Sequence, residues 1–149
     1  MPLGYDWTAM KSLVDSFYPS GTTNQAIGLA HAWMSLVGGG PYPTPPVMDA
    51  NYTYSQVIIL LTDGLNTEDR WYNSQSSIDT RQALTCSNIK AAGITLYTIQ
   101  VNTGGDPTST LLQNCATDSS KFFLLTSASQ IVSTFQQIGV KLSHLRISQ

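Results

Sequence analysis

Two short polar stretches in this 149-residue chain hold the residue types best suited to chemistry. The first is Leu61-Thr62-Asp63-Gly64-Leu65-Asn66-Thr67, at the end of the aliphatic run Val57-Ile58-Ile59-Leu60-Leu61. A carboxylate at the end of a buried strand is a natural oxygen ligand for a hard cation such as Mg2+. The same residue can also simply cap the turn that follows, and Gly64 permits a sharp turn there. The second stretch is Ser20-Gly21-Thr22-Thr23-Asn24-Gln25-Ala26, which leads into an apolar helical pattern. Its hydroxyls suit either the N-cap of that helix or a metal ligand reaching across a crevice.

Several enzyme chemistries find no support around these residues. A Mg2+-dependent phosphotransferase that uses a strand-terminal Asp needs a second Asp two residues away, as acid and base. The positions two before and two after Asp63 are Leu61 and Leu65. There is no Gly-x-Ser-x-Gly for a serine hydrolase and no glycine-rich nucleotide fingerprint. His31 lies beside a helical apolar stripe, and His144 has no partner at metal spacing.

The elements that must position these loops follow from apolar spacing. Residues 6–17 predict a short helix with Trp7, Met10, Leu13, Val14 and Phe17 near helical spacing. Residues 24–37 predict a second, with Ile27, Ala30, Met34 and Val37 as its stripe and Gly38-Gly39-Gly40 as its stop. Residues 38–55 hold most of the prolines and read as a surface loop. The run 57–61 fits a strand buried on both faces. Residues 78–92 predict a helix with Ala83, Cys86, Ile89 and Ala92 on one face, closed by Gly93. Residues 94–101 form a second strand. A short helix over 108–116, capped at Asp106 or Thr108, and a third strand at 122–125 follow. Ile131, Phe135, Ile138, Leu142 and Leu145 then mark an amphipathic helix, with Ser127 or Ser129 as its cap.

Strands alternating with helices imply an α/β fold with a parallel sheet, here a partial doubly wound sheet with three visible strands. Ligands of such sheets bind at the carboxyl ends of the strands, where Asp63 stands. Open sheets of this kind usually carry about five or six strands, so the expectation is a single, N-terminally truncated domain over residues 1–149. Its first strand would then present an open edge that invites self-association.

Composition narrows the class further. The chain is 42% hydrophobic, 11% charged and carries a net charge of −2. No cluster of Lys and Arg offers itself to phosphates, which excludes a nucleic-acid partner as the first expectation. The apolar runs fall far short of the roughly 20 residues that span a bilayer. The N-terminus has neither the basic nor the apolar region of a signal peptide.

Taken together, the two loops resemble the von Willebrand factor A-type domain. That family is doubly wound α/β, with a metal-ion-dependent adhesion site at the top of the sheet. Thr23 matches the family's Thr in a Gly-x-Thr loop, and Asp63 matches its Asp after the fourth strand. The family's Asp-x-Ser-x-Ser loop has no counterpart: Asp118-Ser119-Ser120 precedes the third strand and cannot substitute. A wider resemblance, carried by residues 21–30, 61–71, 121–126 and 138–146, is to the C-terminal region of TadE/TadG-like pilus-assembly proteins. It implies a non-enzymatic, exported protein-binding module of the periplasm or cell surface, acting in Tad/Flp pilus assembly. Any membrane attachment would come through an upstream anchor. The implied cofactor is Mg2+, or Mn2+ or Ca2+, on Thr23 and Asp63. Two ligands hold such an ion weakly, so weak or absent binding by this chain alone is expected. Asn24, Asn66 and Trp71 are the expected partner contacts. A scaffold without metal binding is the alternative.

Cys86 sits on the expected buried face of one helix and Cys115 in the short helix after the next strand. Such helices lie side by side or on opposite faces of the sheet, so their positions leave a bridge and two buried thiols both open. The oxidising compartment that the resemblance implies favours the bridge.

Overall fold

A computed structural model describes residues 4–144. Its helices begin where side chains take up the amide hydrogens that a first turn leaves unbonded. In α1 (Trp7–Asp15) the Asp6 Oδ1 accepts from the Ala9 amide at 2.9 Å. In α2 (Gln25–Val37) the Asn24 Oδ1 accepts from the Ala26 amide at 3.1 Å. That helix stops at Gly38, whose φ is 84° and where a Cβ would stand 2.9 Å from the Thr44 Cα. Only glycine fits such a position.

The sheet is parallel throughout, in the order β1 (Val57–Thr62), β2 (Thr95–Val101), β3 (Phe122–Leu125). Val57 lies opposite Thr95 and Thr62 opposite Gln100, while Thr98 lies opposite Phe122 and Val101 opposite Leu125. The central strand β2 is buried from Leu96 to Val101, as a parallel strand covered on both faces should be. Its polar residues are satisfied internally. Thr98 Oγ1 donates to the Leu112 carbonyl at 2.8 Å, and Gln100 Oε1 accepts from the Ser109 amide at 2.8 Å.

α2, α3 (Gln75–Ala91) and α4 (Thr110–Cys115) bring Leu29, Cys86, Ile89 and Cys115 to one sheet face, against Ile58 and Leu96. Cys86 and Cys115 are joined, with Cα atoms 5.1 Å apart and a sequence separation of 29. On the chain-entropy account a loop of that length stabilises by roughly 3–4 kcal/mol. α5 (Gln130–His144) covers the other face, where Ile138 packs with Tyr97, Ile99, Val101 and Leu125.

Several boundaries differ from the sequence expectation, each for a local reason. α3 starts at Gln75 rather than 78, and its inner face is Ile78, Gln82, Cys86 and Ile89. Ala83 and Ala92 are exposed, because Gln82 finds buried hydrogen-bond partners and takes the inward position. α4 is capped by Ser109, whose Oγ accepts from the Leu112 amide at 3.2 Å, and not by Asp106 or Thr108. Ahead of α5, Gln130 Oε1 accepts from the Thr126 and Ser127 amides at 2.8 and 3.1 Å. Ser127 and Ser129 instead hydrogen-bond each other at 2.9 Å. Thr134 is buried in place of Phe135, its hydroxyl donating to the Gln130 carbonyl at 2.9 Å. Leu145 and Arg146 lie outside the described residues.

α1 buries none of its residues, and its Trp7 is 69% exposed. Among the described residues no strand pairs with the outer edge of β1, whose Leu61 is 39% exposed.

Candidate metal and partner site

The loop after β1 and the loop before α2 are stitched together at the carboxyl end of the sheet. The Thr67 amide donates to the Thr23 carbonyl at 2.9 Å, and the Thr23 amide donates to Thr67 Oγ1 at 2.8 Å. One residue further on, the Gln25 amide donates to Asn66 Oδ1 at 2.9 Å. These bonds hold the Thr-bearing loop against the loop that Asp63 opens, as the two sequence motifs required.

Beneath the stitch lies a network of three buried carboxamides. Asn66 Nδ2 donates to Gln82 Oε1 at 2.7 Å and to Asp79 Oδ1 at 2.8 Å. Gln82 Nε2 donates to Gln25 Oε1 at 3.0 Å, and Gln25 Nε2 donates to the Gly64 carbonyl at 2.9 Å. Gln25, Asn66 and Gln82 are all buried, so each partner replaces a water that is excluded. The network joins α2, the loop after β1, and α3. Sequence reading singled out neither Gln25 nor Gln82 as functional. The available signal was a Gln at an inward helical position, four residues after Ile78 and four before Cys86, which the apolar stripe passed over.

Asp63 is exposed, and its carboxylate makes no hydrogen bond or ion pair with a described residue. The turn it begins is closed by its neighbour. Thr62 Oγ1 donates to the Gly64 carbonyl at 3.1 Å and lies 3.3 Å from the Gly64 amide, which donates back to it. Gly64 is not in the left-handed region, and a Cβ there would meet nothing. The turn therefore depends on Thr62, not on glycine, and Asp63 is not its cap. Thr23 is half-buried, and Asn24 rather than a hydroxyl caps α2. Both expected metal oxygens are thus left unused by the turn and the helix.

The donor set is nevertheless small. Among the described residues no group of three His, Cys, Asp or Glu could hold a metal ion. One carboxylate and one hydroxyl fall well short of the six oxygens Mg2+ prefers or the six to eight of Ca2+. Asp118 does not enlarge the set. Its Oδ1 accepts from the Ser120 amide at 2.8 Å and from the Ser120 hydroxyl at 2.6 Å, and its Oδ2 lies 3.2 Å from Lys121 Nζ. Those Ser120 and Lys121 bonds hold its carboxyl below the usual carboxylate range. It is the cap of the 3-10 turn Ser119–Lys121.

The expected partner contacts divide. Asn24 spends its side-chain oxygen on the α2 cap. Asn66 is 2% exposed and uses both its oxygen and its nitrogen inside the molecule, so it positions the loops and does not reach a partner. Trp71 is 69% exposed on the loop that continues from Asp63. His31 is exposed, with Nδ1 3.3 Å from the Tyr42 hydroxyl.

If the amide network holds these loops, removing one member strands the others. Gln82→Leu leaves the buried Gln25 Oε1 without its donor, and should cost about 1–3 kcal/mol in urea unfolding. Asp63→Ala, at an exposed position, should stay within about 0.5 kcal/mol of the parent. Equal losses in the two variants would contradict the assignment.

Comparison with solved structures gives matches to proximal thread matrix protein 1 from the mussel byssus. One crystal form matches with a TM-score of 0.58 at 23% identity over 91% of this chain. A second structure matches at 0.59 and 22% over 88%, and a third, with a zinc-occupied metal-ion-dependent adhesion site motif, at 0.60 and 22% over 91%. The chain spans only 28% of the length of each. No protein-family model and no curated protein matches it. The likeness shows the fold alone: a von Willebrand factor A-like α/β arrangement, a parallel sheet flanked by helices.

Proposed function

We propose that this chain is a non-enzymatic protein-binding module of the adhesion type, working in an exported setting. The observation that carries the reading is the stitched pair of loops at the carboxyl end of β1. They form a pre-shaped polar face whose exposed carboxylate, Asp63, is held ready without a partner among the described residues. Binding surfaces gain affinity when such loops are ordered beforehand. The Cys86–Cys115 bridge supports an oxidising compartment. Among the described residues no helix is long and apolar enough to cross a membrane. The resemblance of residues 61–71 and 121–126 to TadE/TadG-like proteins favours a role in Tad/Flp pilus assembly at the periplasmic or cell-surface side.

In this reading Thr23 and Asp63 are part of a metal-ion-dependent adhesion site whose remaining oxygens come from elsewhere. A bound Mg2+, Mn2+ or Ca2+ would supply a positive centre for a partner's carboxylate. The isolated chain offers too few ligands to keep it. The alternative, a scaffold without metal binding, is favoured by the outer edge of β1, which no strand among the described residues pairs with and which would be open to another strand.

Two measurements separate these readings. A photo-cross-linking residue placed at Glu68, beside the stitched loops, should trap a discrete protein in cells that export the chain. The same group at Leu84, exposed on α3, should not. Indistinguishable products from the two positions would refute the binding face. Calorimetric titration of the free chain with Mg2+ should show no saturable heat in the micromolar range. A saturable heat abolished by Asp63→Ala would mean that the site is complete without further ligands.

A further inference from the structure

Beyond the stitched loops, the chain gathers its described arginines around one indole. The Cζ atoms of Arg70 and Arg81 each lie 5.6 Å from the Trp71 ring centre, and Arg81 also lies 5.8 Å from that of Tyr72. Among the described residues the only ion pair joins Lys121 to Asp118, so neither guanidinium is neutralised by a described carboxylate. Asp69, beside Arg70 in sequence, and Asp79, two residues before Arg81, are engaged in hydrogen bonds. Asp69 Oδ1 accepts from the Trp71 and Tyr72 amides, each at 2.6 Å. Asp79 accepts from Asn66 at 2.8 Å and from Gln75 at 3.4 Å. The Asp69 bonds also fix the loop that carries both aromatics, so the cluster is arranged before anything binds.

The aromatics are left in water: Trp71 is 69% and Tyr72 43% exposed. With Arg81 they line an open depression of about 460 Å³. Tryptophan, tyrosine and arginine are the residues that most often dominate protein interfaces. A guanidinium offers a planar fork of N–H donors that matches a carboxylate in a bidentate way. An exposed indole and phenol cover the apolar stem beside it. A cationic partner would be repelled by both arginines. A nucleic acid would meet only these two arginines, in a chain of net charge −2 with no Lys/Arg cluster, too little to hold a phosphate backbone.

We infer that the Trp71–Tyr72–Arg81 cluster is a metal-independent clamp for an acidic segment of a protein partner, Arg81 holding a glutamate or aspartate carboxylate while Trp71 and Tyr72 cover the adjoining apolar atoms. The inference rests on the protein-binding reading above and adds the chemistry of the partner to it. Arg70 adds positive charge at the rim of the same cluster.

The test uses the full chain and a fluorescein-labelled peptide in which glutamates are spaced by glycine and leucine, with glutamine and phosphoserine versions as comparators. The glutamate peptide should bind saturably, equally well with and without EDTA, and less tightly as salt is raised. Arg81→Gln and Trp71→Ala should each weaken it about tenfold or more. Arg81→Lys, which keeps the charge and loses the fork, should recover only part of the affinity. Both positions are exposed, and unchanged melting curves would show that the variants fold. Equal binding of the glutamine peptide, preference for the phosphoserine peptide, or indifference to Arg81→Gln would overturn the inference. If the acidic peptide fails while cross-linking from Glu68 still traps a partner, the clamp is refuted and the binding face stands. Failure of both refutes the two together.

Discussion

Three carboxamides in the interior must satisfy one another, and the candidate face depends on that constraint. Gln25, Asn66 and Gln82 sit where water does not reach. A buried amide without partners costs a large part of a domain's net stability. Their mutual bonds can form only when α2, the loop after β1, and α3 stand in one relative arrangement. The Thr23–Thr67 bonds above them follow from the same arrangement. Asp63 and Thr23 are therefore positioned by buried groups that are not themselves exposed on the candidate face. This division lets the face carry an unpaired carboxylate: the packing of the loops does not rely on Asp63 at all.

The two sides of the sheet contribute differently. On the side of α2, α3 and α4 the core includes the Cys86–Cys115 bridge, which ties α3 to α4 on either side of β2 in sequence. Thr98 and Gln100 of β2 anchor α4 and the residues before it through hydrogen bonds. On the other side α5 covers the sheet, with Ile138 packed against Tyr97 and Ile99. β1 lies at the edge of the described sheet, with Leu61 exposed at its carboxyl end. The acidic-segment clamp lies beyond that region, where α3 presents Arg81 next to the aromatic loop fixed by Asp69.

Much of this was legible in the residues. The β-branched run 57–61, the alternation of strands with helices and the strand-terminal Asp63 all pointed to a parallel sheet with its site at the carboxyl end. β3 was found at its observed bounds, and the disulfide was among the open alternatives. On α2 the expected stripe is misplaced, Ile27 and Val37 being exposed while Leu29 is buried, but the misses on β2, α3 and α5 had a common cause. Gln82, Gln100, Thr98 and Thr134 are polar residues at inward positions, and an apolar-periodicity rule assigns them outward. Each is buried because a particular partner, distant in sequence, completes its hydrogen bonds. The stripe of α3 was thus placed on Ala83 rather than Gln82, and Asn66 was taken for a partner contact rather than a brace. α1 shows the converse limit: its periodic Trp7, Leu13, Val14 and Phe17 predict a packed helix, yet the described residues leave it uncovered.

The central claim is that the amide network holds the two site loops as one ordered unit. Native-state hydrogen exchange tests it most directly, through the Gln25 amide, bound to Asn66 Oδ1, and the Thr67 amide, bound to the Thr23 carbonyl. Both should be protected in the parent protein. In Gln82→Leu both should lose protection together, while the Ile99 amide in the sheet stays slow. Exchange of Gln25 and Thr67 at unfolded-chain rates in the parent, or protection unchanged in Gln82→Leu, would contradict the account.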